Sequence, residues 1–99
     1  MADFKNSDRF GLTDRFVMSH VGAETVLAPV SDSTADMGQL VTINPTGADI
    51  LDGIREGRDF GGIVNKIMML YEVADRQSVE GDVAKFINRM TERGVVAPL

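Results

Sequence analysis

The stretch Leu40-Val41-Thr42-Ile43-Asn44-Pro45-Thr46-Gly47-Ala48-Asp49-Ile50-Leu51 changes secondary structure partway along, and its reading organises the rest of the chain. Gln39 to Ile43 ends in consecutive β-branched residues and predicts a short strand. Asn44 is a good N-cap because its side-chain oxygen can accept from an otherwise unpaired amide of the first turn. Pro45 fits the first helical position, where its missing N–H costs nothing. Ile50, Leu51 and Ile54 then supply the apolar stripe of a helix, and Gly57 can end it in a left-handed conformation. A strand therefore runs directly into a helix.

Upstream, Phe16 to Val21 predicts a first strand and Glu24 to Val30 a second, joined by a tight turn at Gly22-Ala23. Pro29 has no N–H, so ladder pairing on that side should stop there. Ser31 to Gly38 reads as a polar loop. Downstream, Asp59 caps a second helix reaching about Glu72, with Phe60, Ile63, Val64, Ile67 and Leu70 facing inward. Asp75 to Gln77 turns the chain, and Ser78 caps a third helix that Gly94 stops. Met1 to Asp14 is polar and reads as a flexible arm, leaving 15–99 as the domain. Within and beside that arm, Ser7-Asp8-Arg9-Phe10 is nearly repeated as Thr13-Asp14-Arg15-Phe16. Coincidence in a polar tail is the simple reading, and ligand mimicry by the first copy is the other.

Three strands followed by three helices predict an α+β fold, with a three-stranded antiparallel meander carrying the helices. Its third strand, Leu40-Val41-Thr42-Ile43, has no lysine, proline or charge of the kind that protects an open edge. Such an edge is either covered, by the third helix or a second copy, or kept open for an added strand. On the third helix, Val79, Val83, Phe86, Ile87 and Met90 form a core-facing stripe, whereas Asp82, Lys85, Arg89 and Arg93 share one flank. Phe86 stands at the boundary. It reads either as core or as part of a groove wall between the helix and the third strand.

The chain has 99 residues, 43% of them apolar, a net charge of −5 and no cysteine. That size suits one modest core. Disulfides and thiolate chemistry are excluded, and a reducing cytoplasmic location is expected. Met1 to Gly22 carries no signal-like apolar run, and no stretch is long enough to span a membrane. The acidic balance argues against a nucleic-acid partner, which gains affinity from cations on phosphates. A winged-helix DNA-binding module would also want basic or amide residues where the third helix begins, and Glu80 and Asp82 stand there instead.

Catalytic constellations are equally poor. His20, the sole histidine, has no metal-ligand spacing to any partner, and neither a metal nor another cofactor is expected. Gly57-Arg58-Asp59-Phe60-Gly61-Gly62 lacks the lysine and hydroxyl of a phosphate-binding loop and reads as a helix boundary. Asp49 and Asp52 read as solvated surface. The chain is expected not to be an enzyme, and a homodimerising interaction module remains an alternative to a monomeric binder.

Asn44-Pro45-Thr46-Gly47-Ala48-Asp49-Ile50-Leu51 after a short strand resembles the strand-to-helix junction of the PqqD-like family, the recognition elements of ribosomally made, post-translationally modified peptides. Further resemblances follow in the family's order. They are Phe16-Val17, Glu24-Thr25-Val26, Gly57, Ile63-Val64, Tyr71-Glu72-Val73, Asp82-Val83, Phe86-Ile87, Met90 and Gly94-Val95-Val96. The resemblance implies a winged-helix-like fold and a non-catalytic role in which a precursor's leader peptide adds a strand to the third strand. The third helix would be the opposite wall, and the partners would be the leader peptide and a separate modifying enzyme, radical SAM enzymes among them. Carried over residue by residue, it implies backbone pairing at Leu40, Val41, Thr42 and Ile43; on the third-helix wall we expect side-chain contacts from Asp82, Lys85, Phe86 and Arg89. Gly61-Gly62 departs from the family's better helix formers, and that turn is expected to fray.

Overall fold

The computed structural model describes residues 4–30 and 40–99. The expected loop Ser31 to Gly38, and Gln39 of the expected third strand, lie outside the described residues. In chain order the elements are β1 (Phe10–Leu12), β2 (Phe16–Val21), β3 (Glu24–Pro29), β4 (Val41–Ile43), α1 (Pro45–Arg55), α2 (Phe60–Tyr71), α3 (Arg76–Glu92) and β5 (Val96–Pro98). The fold is α+β. β2, β3 and β4 form the expected antiparallel meander, and β1 pairs with β5 in a separate two-stranded sheet.

The helices begin and end where local chemistry directs. Asn44 Oδ1 accepts from the Gly47 N–H at 2.8 Å and Asp59 Oδ1 from that of Gly62 at 2.8 Å. Gly57 and Gly94 take φ of 86° and 81° just beyond α1 and α3, as the sequence leads one to expect. α3 starts earlier than expected. Asp75, not Ser78, is its N-cap and accepts from the Ser78 N–H, and an Arg76–Glu80 ion pair spans the added turn at 3.1 Å.

Leu51, Ile63, Val64 and Ile87 are completely buried where the three helices meet, with Leu27 and Ile43 closing the core from the sheet. Leu70 does not join them and is 54% exposed. At about 100° per residue, Tyr71 lies nearer the middle of the Phe60-Val64-Ile67 stripe, while Leu70 falls toward its edge.

The greatest departure concerns residues 1–14, expected to be a flexible arm. Their described part is anchored: Phe10 is buried, and Phe4 packs edge-on against it with ring centroids 5.0 Å apart. The carbonyls of Asp8 and Asn6 accept from the Phe60 and Gly61 N–H groups at 2.7 and 2.9 Å. With Asp59 serving Gly62, the first turn of α2 is fully capped, so the expected fraying at Gly61-Gly62 is not observed. Gly61 eases this approach, because a Cβ there would lie 3.0 Å from Asn6 Cβ. The near-repeat has a structural explanation as well. Arg9 donates to the Gly57 carbonyl at 2.8 Å, and Arg15 lies beside Gly94, so each copy sets an arginine against a glycine that ends a helix.

Candidate functional site

The two-residue turn at Gly22-Ala23 fixes the alternation of the meander. It makes Val21 and Glu24 a hydrogen-bonded pair, so Glu24, Val26 and Ala28 direct their main-chain groups toward β2. The Val30 N–H bond to the Arg15 carbonyl, 2.7 Å long, falls on the same alternation. Thr25 and Leu27 therefore face β4, where they pair with Ile43 and Val41. Thr42, opposite Val26, turns its N–H and C=O away from β3 toward the outer edge. Asn44 is the next residue of this parity, but its carbonyl already accepts from the Ala48 N–H at 2.9 Å as α1 begins.

This alternation refines the sequence expectation. Val41 and Ile43 have their main-chain groups engaged with β3, so they are not the pairing residues of the open edge. Their side chains point toward the interior, Ile43 buried and Val41 packed at the margin of the core. Thr42 is the edge-facing residue of β4, and Leu40 precedes the strand with its side chain exposed.

α3 lies opposite this edge, and the space between is a groove made of two cavities. The smaller, about 210 Å³, runs between Val41–Asn44 and the Phe86, Arg89, Met90 and Arg93 side of α3. The larger, about 470 Å³, continues past Asn44 along the first turn of α1 and reaches Ile67, Tyr71 and Val73 at the end of α2. Its α3 wall includes Val79, Asp82, Val83 and Lys85. Asn44, Phe86 and Arg89 line both cavities. Val41, Thr42, Ile43, Asp82, Lys85, Phe86 and Arg89 are thus brought to one groove, and Leu40 lines neither cavity.

Phe86 forms the floor rather than a free-standing wall, being only 8% exposed. Its ring rests where Gly47 has no side chain: a Cβ at position 47 would come 2.6 Å from Phe86 Cε1 and 2.8 Å from Ile43 Cγ2. Gly47 is therefore a requirement for the junction of β4, α1 and α3. Asp82, Lys85, Arg89 and Arg93 are exposed along the rim. The ion pairs among the described residues use Arg55, Arg58, Lys66 and Arg76, and none uses Lys85, Arg89 or Arg93.

Tyr71 is a groove residue that the sequence reading missed. Its hydroxyl donates to Asp49 Oδ2 at 2.6 Å, tying the end of α2 to the first turns of α1. That bond to a carboxylate, more than desolvation, raises the tyrosine pKa above its ordinary value. Asp49 is accordingly more than solvated surface, and Asp52 holds Arg55 at 2.6 Å. The available signal was angular, since Tyr71 continues the inner stripe of α2 while carrying a hydroxyl.

His20 lies away from the groove on β2, with Nδ1 3.0 Å from the Thr25 hydroxyl. Among the described residues no group of three histidine, cysteine, aspartate or glutamate side chains is placed to hold a metal, and no helix is long and apolar enough to cross a membrane.

The family model for coenzyme PQQ synthesis protein D (PqqD) matches residues 17–96, a span that runs from the second residue of β2 through α3 to the first residue of β5. Among solved structures, that of TbiB1 in complex with the TbiA(beta) leader peptide is similar to this chain. It has 26% sequence identity, a TM-score of 0.72, and coverage of 87% of this chain and 93% of the other. No curated protein matches the sequence.

Proposed function

We propose that this chain, which belongs to the PqqD family, binds the leader of a ribosomally made precursor peptide as a strand added to β4. Thr42 carries the reading: its main-chain N–H and C=O face outward at an edge whose opposite wall is α3. An extended peptide there can exchange main-chain hydrogen bonds while alternate side chains turn into the groove. The similarity to a protein solved with a leader peptide supports the same guest.

The role is presentation, with the chemistry left to a separate modifying enzyme, radical SAM enzymes being one candidate class. Holding the leader beside that enzyme raises the effective concentration of the precursor without any reaction by the binder. Leu40 and Thr42 supply the pairing edge, Asp82, Lys85 and Arg89 the rim, and Phe86 the floor.

The test is an NMR titration with the leader of a short precursor encoded beside this chain. Shifts are expected in Leu40 to Asn44 and Asp82 to Met90. Shifts confined to β2 or the solvent face of α2 would overturn the site.

A further inference from the structure

The groove differs chemically from one end to the other. Along β4, the α3 rim offers Arg89 and Arg93, and Lys85 precedes them by one further turn. Beyond Asn44, Lys85 and Arg89 still stand at the margin, but the wall gains Ile50, Ile67, Val79 and Val83, and Asp82 adds an acid. We propose that the guest carries an aspartate or glutamate beside Arg89 and Arg93 and a bulky apolar side chain in the larger cavity. This rests on the strand-addition reading given above and names the guest's chemistry.

Charge and periodicity converge on this assignment. The protein carries a net charge of −5, yet Lys85, Arg89 and Arg93 recur every fourth residue on one flank of α3. None of them joins the ion pairs of the described residues, whereas Arg55, Arg58, Lys66 and Arg76 do. The row is a local cationic strip on an acidic molecule, and its charge complement is a carboxylate. Cations near the end of α3 also oppose the helix dipole, but Lys85 lies more than a turn from that end, where the effect has decayed. Asp82 places an acid beside Lys85 in the larger cavity, whereas the cavity along β4 is lined by Arg89 and Arg93 and by no acid, so a guest carboxylate is favoured there.

The spacing follows from the two periodicities. Inward-facing residues of an added strand recur about every 6.6 Å. Arg89 and Val83 are separated by about 9 Å of helix, and Arg93 and Val83 by about 15 Å. An acid and an apolar anchor two or four positions apart in the guest satisfy both ends.

Selection of displayed random peptides, long enough to span the groove, on the intact protein tests this. Enriched peptides should pair Asp or Glu with a bulky apolar residue at that spacing. With Arg89→Glu and Arg93→Glu together, selection should turn to Lys or Arg, and the original peptides should lose about tenfold in affinity. Binding of basic peptides would itself show that this variant is folded. Enrichment without acids, or acids retained after charge reversal, overturns the proposed chemistry but leaves strand addition standing. If no peptides are enriched, or Thr42→Pro leaves their binding intact, strand addition falls as well.

Discussion

The first turns of α1 and α2 are built alike and used differently. Each starts from an Asn or Asp whose side chain accepts from a glycine N–H at the third helical position, at 2.8 Å in both cases. Each also has a glycine that admits a close neighbour. At α2 that neighbour is the N-terminal segment, whose Asn6 and Asp8 carbonyls close the turn. At α1 it is the Phe86 ring, and Asn44, Thr46 and Gly47 line the larger cavity. The same local chemistry thus produces a sealed junction in one place and a receptive one in the other. What differs is the tertiary neighbour.

Removing Met1 to Arg9 should have the largest effect, because it uncaps α2 and takes Phe4 from Phe10 and Phe60. We expect a loss of about 2–4 kcal/mol in denaturant unfolding from the lost caps and aromatic packing. Peptide affinity should be unchanged wherever the truncated protein remains folded, and a large loss of affinity would break the division between sealed and receptive ends.

Gly47→Ala should cost about 1–3 kcal/mol through overpacking against Phe86 and Ile43 and should weaken peptide binding as well. Gly61→Ala makes the sharper control. Its Cβ meets Asn6 at 3.0 Å, a milder conflict, and alanine recovers up to about 1 kcal/mol of helix propensity, so a smaller stability change and unaltered binding are expected. Calorimetric melts and peptide titrations on the pair separate the two roles.

Thr42→Pro removes an N–H that faces away from β3 and should change affinity more than stability. Loss of one main-chain hydrogen bond to the guest corresponds to about a tenfold weaker complex. A folded variant with full affinity would count against strand addition at this edge.

The smallest effect concerns Tyr71, the chain's sole tyrosine, so ultraviolet absorbance titration reports it directly. The Asp49 carboxylate stabilises the protonated hydroxyl, so the contact persists below the ordinary tyrosine value and is lost as pH rises through the raised one. Asp49→Asn should lower the midpoint. An unchanged midpoint would mean that the bond does not govern this wall of the groove.

Much of this arrangement was legible in the sequence because its signals are local. Asn44-Pro45 and Gly57 bound α1, the stripe Val79, Val83, Phe86, Ile87 and Met90 orients α3, and an unguarded run of β-branched residues marks the edge. The missed features depend on partners distant in the chain. β1 and β5 have three residues each, too few for a strand period to register. Gly61-Gly62 scores as poor helix until Asn6 is seen lying against it. The main-chain direction at Thr42 required the register counted from Gly22-Ala23.

The β1–β5 seam also has a bearing on the order of folding. Gly11 and Ala97 exchange their main-chain bonds across almost the whole described chain, with Thr13–Val95 and Leu99–Arg9 contacts flanking them. Closing so long a loop is entropically demanding, whereas β2–β3 and the α1–α2–α3 succession make contacts between near neighbours in sequence. The seam is therefore expected to join late and to part early. In native-state hydrogen exchange, Gly11 and Ala97 should open at lower free energy than the middle of α3. The groove can then remain assembled while the two ends of the chain breathe, and the sealed side of the molecule is the kinetically softer one.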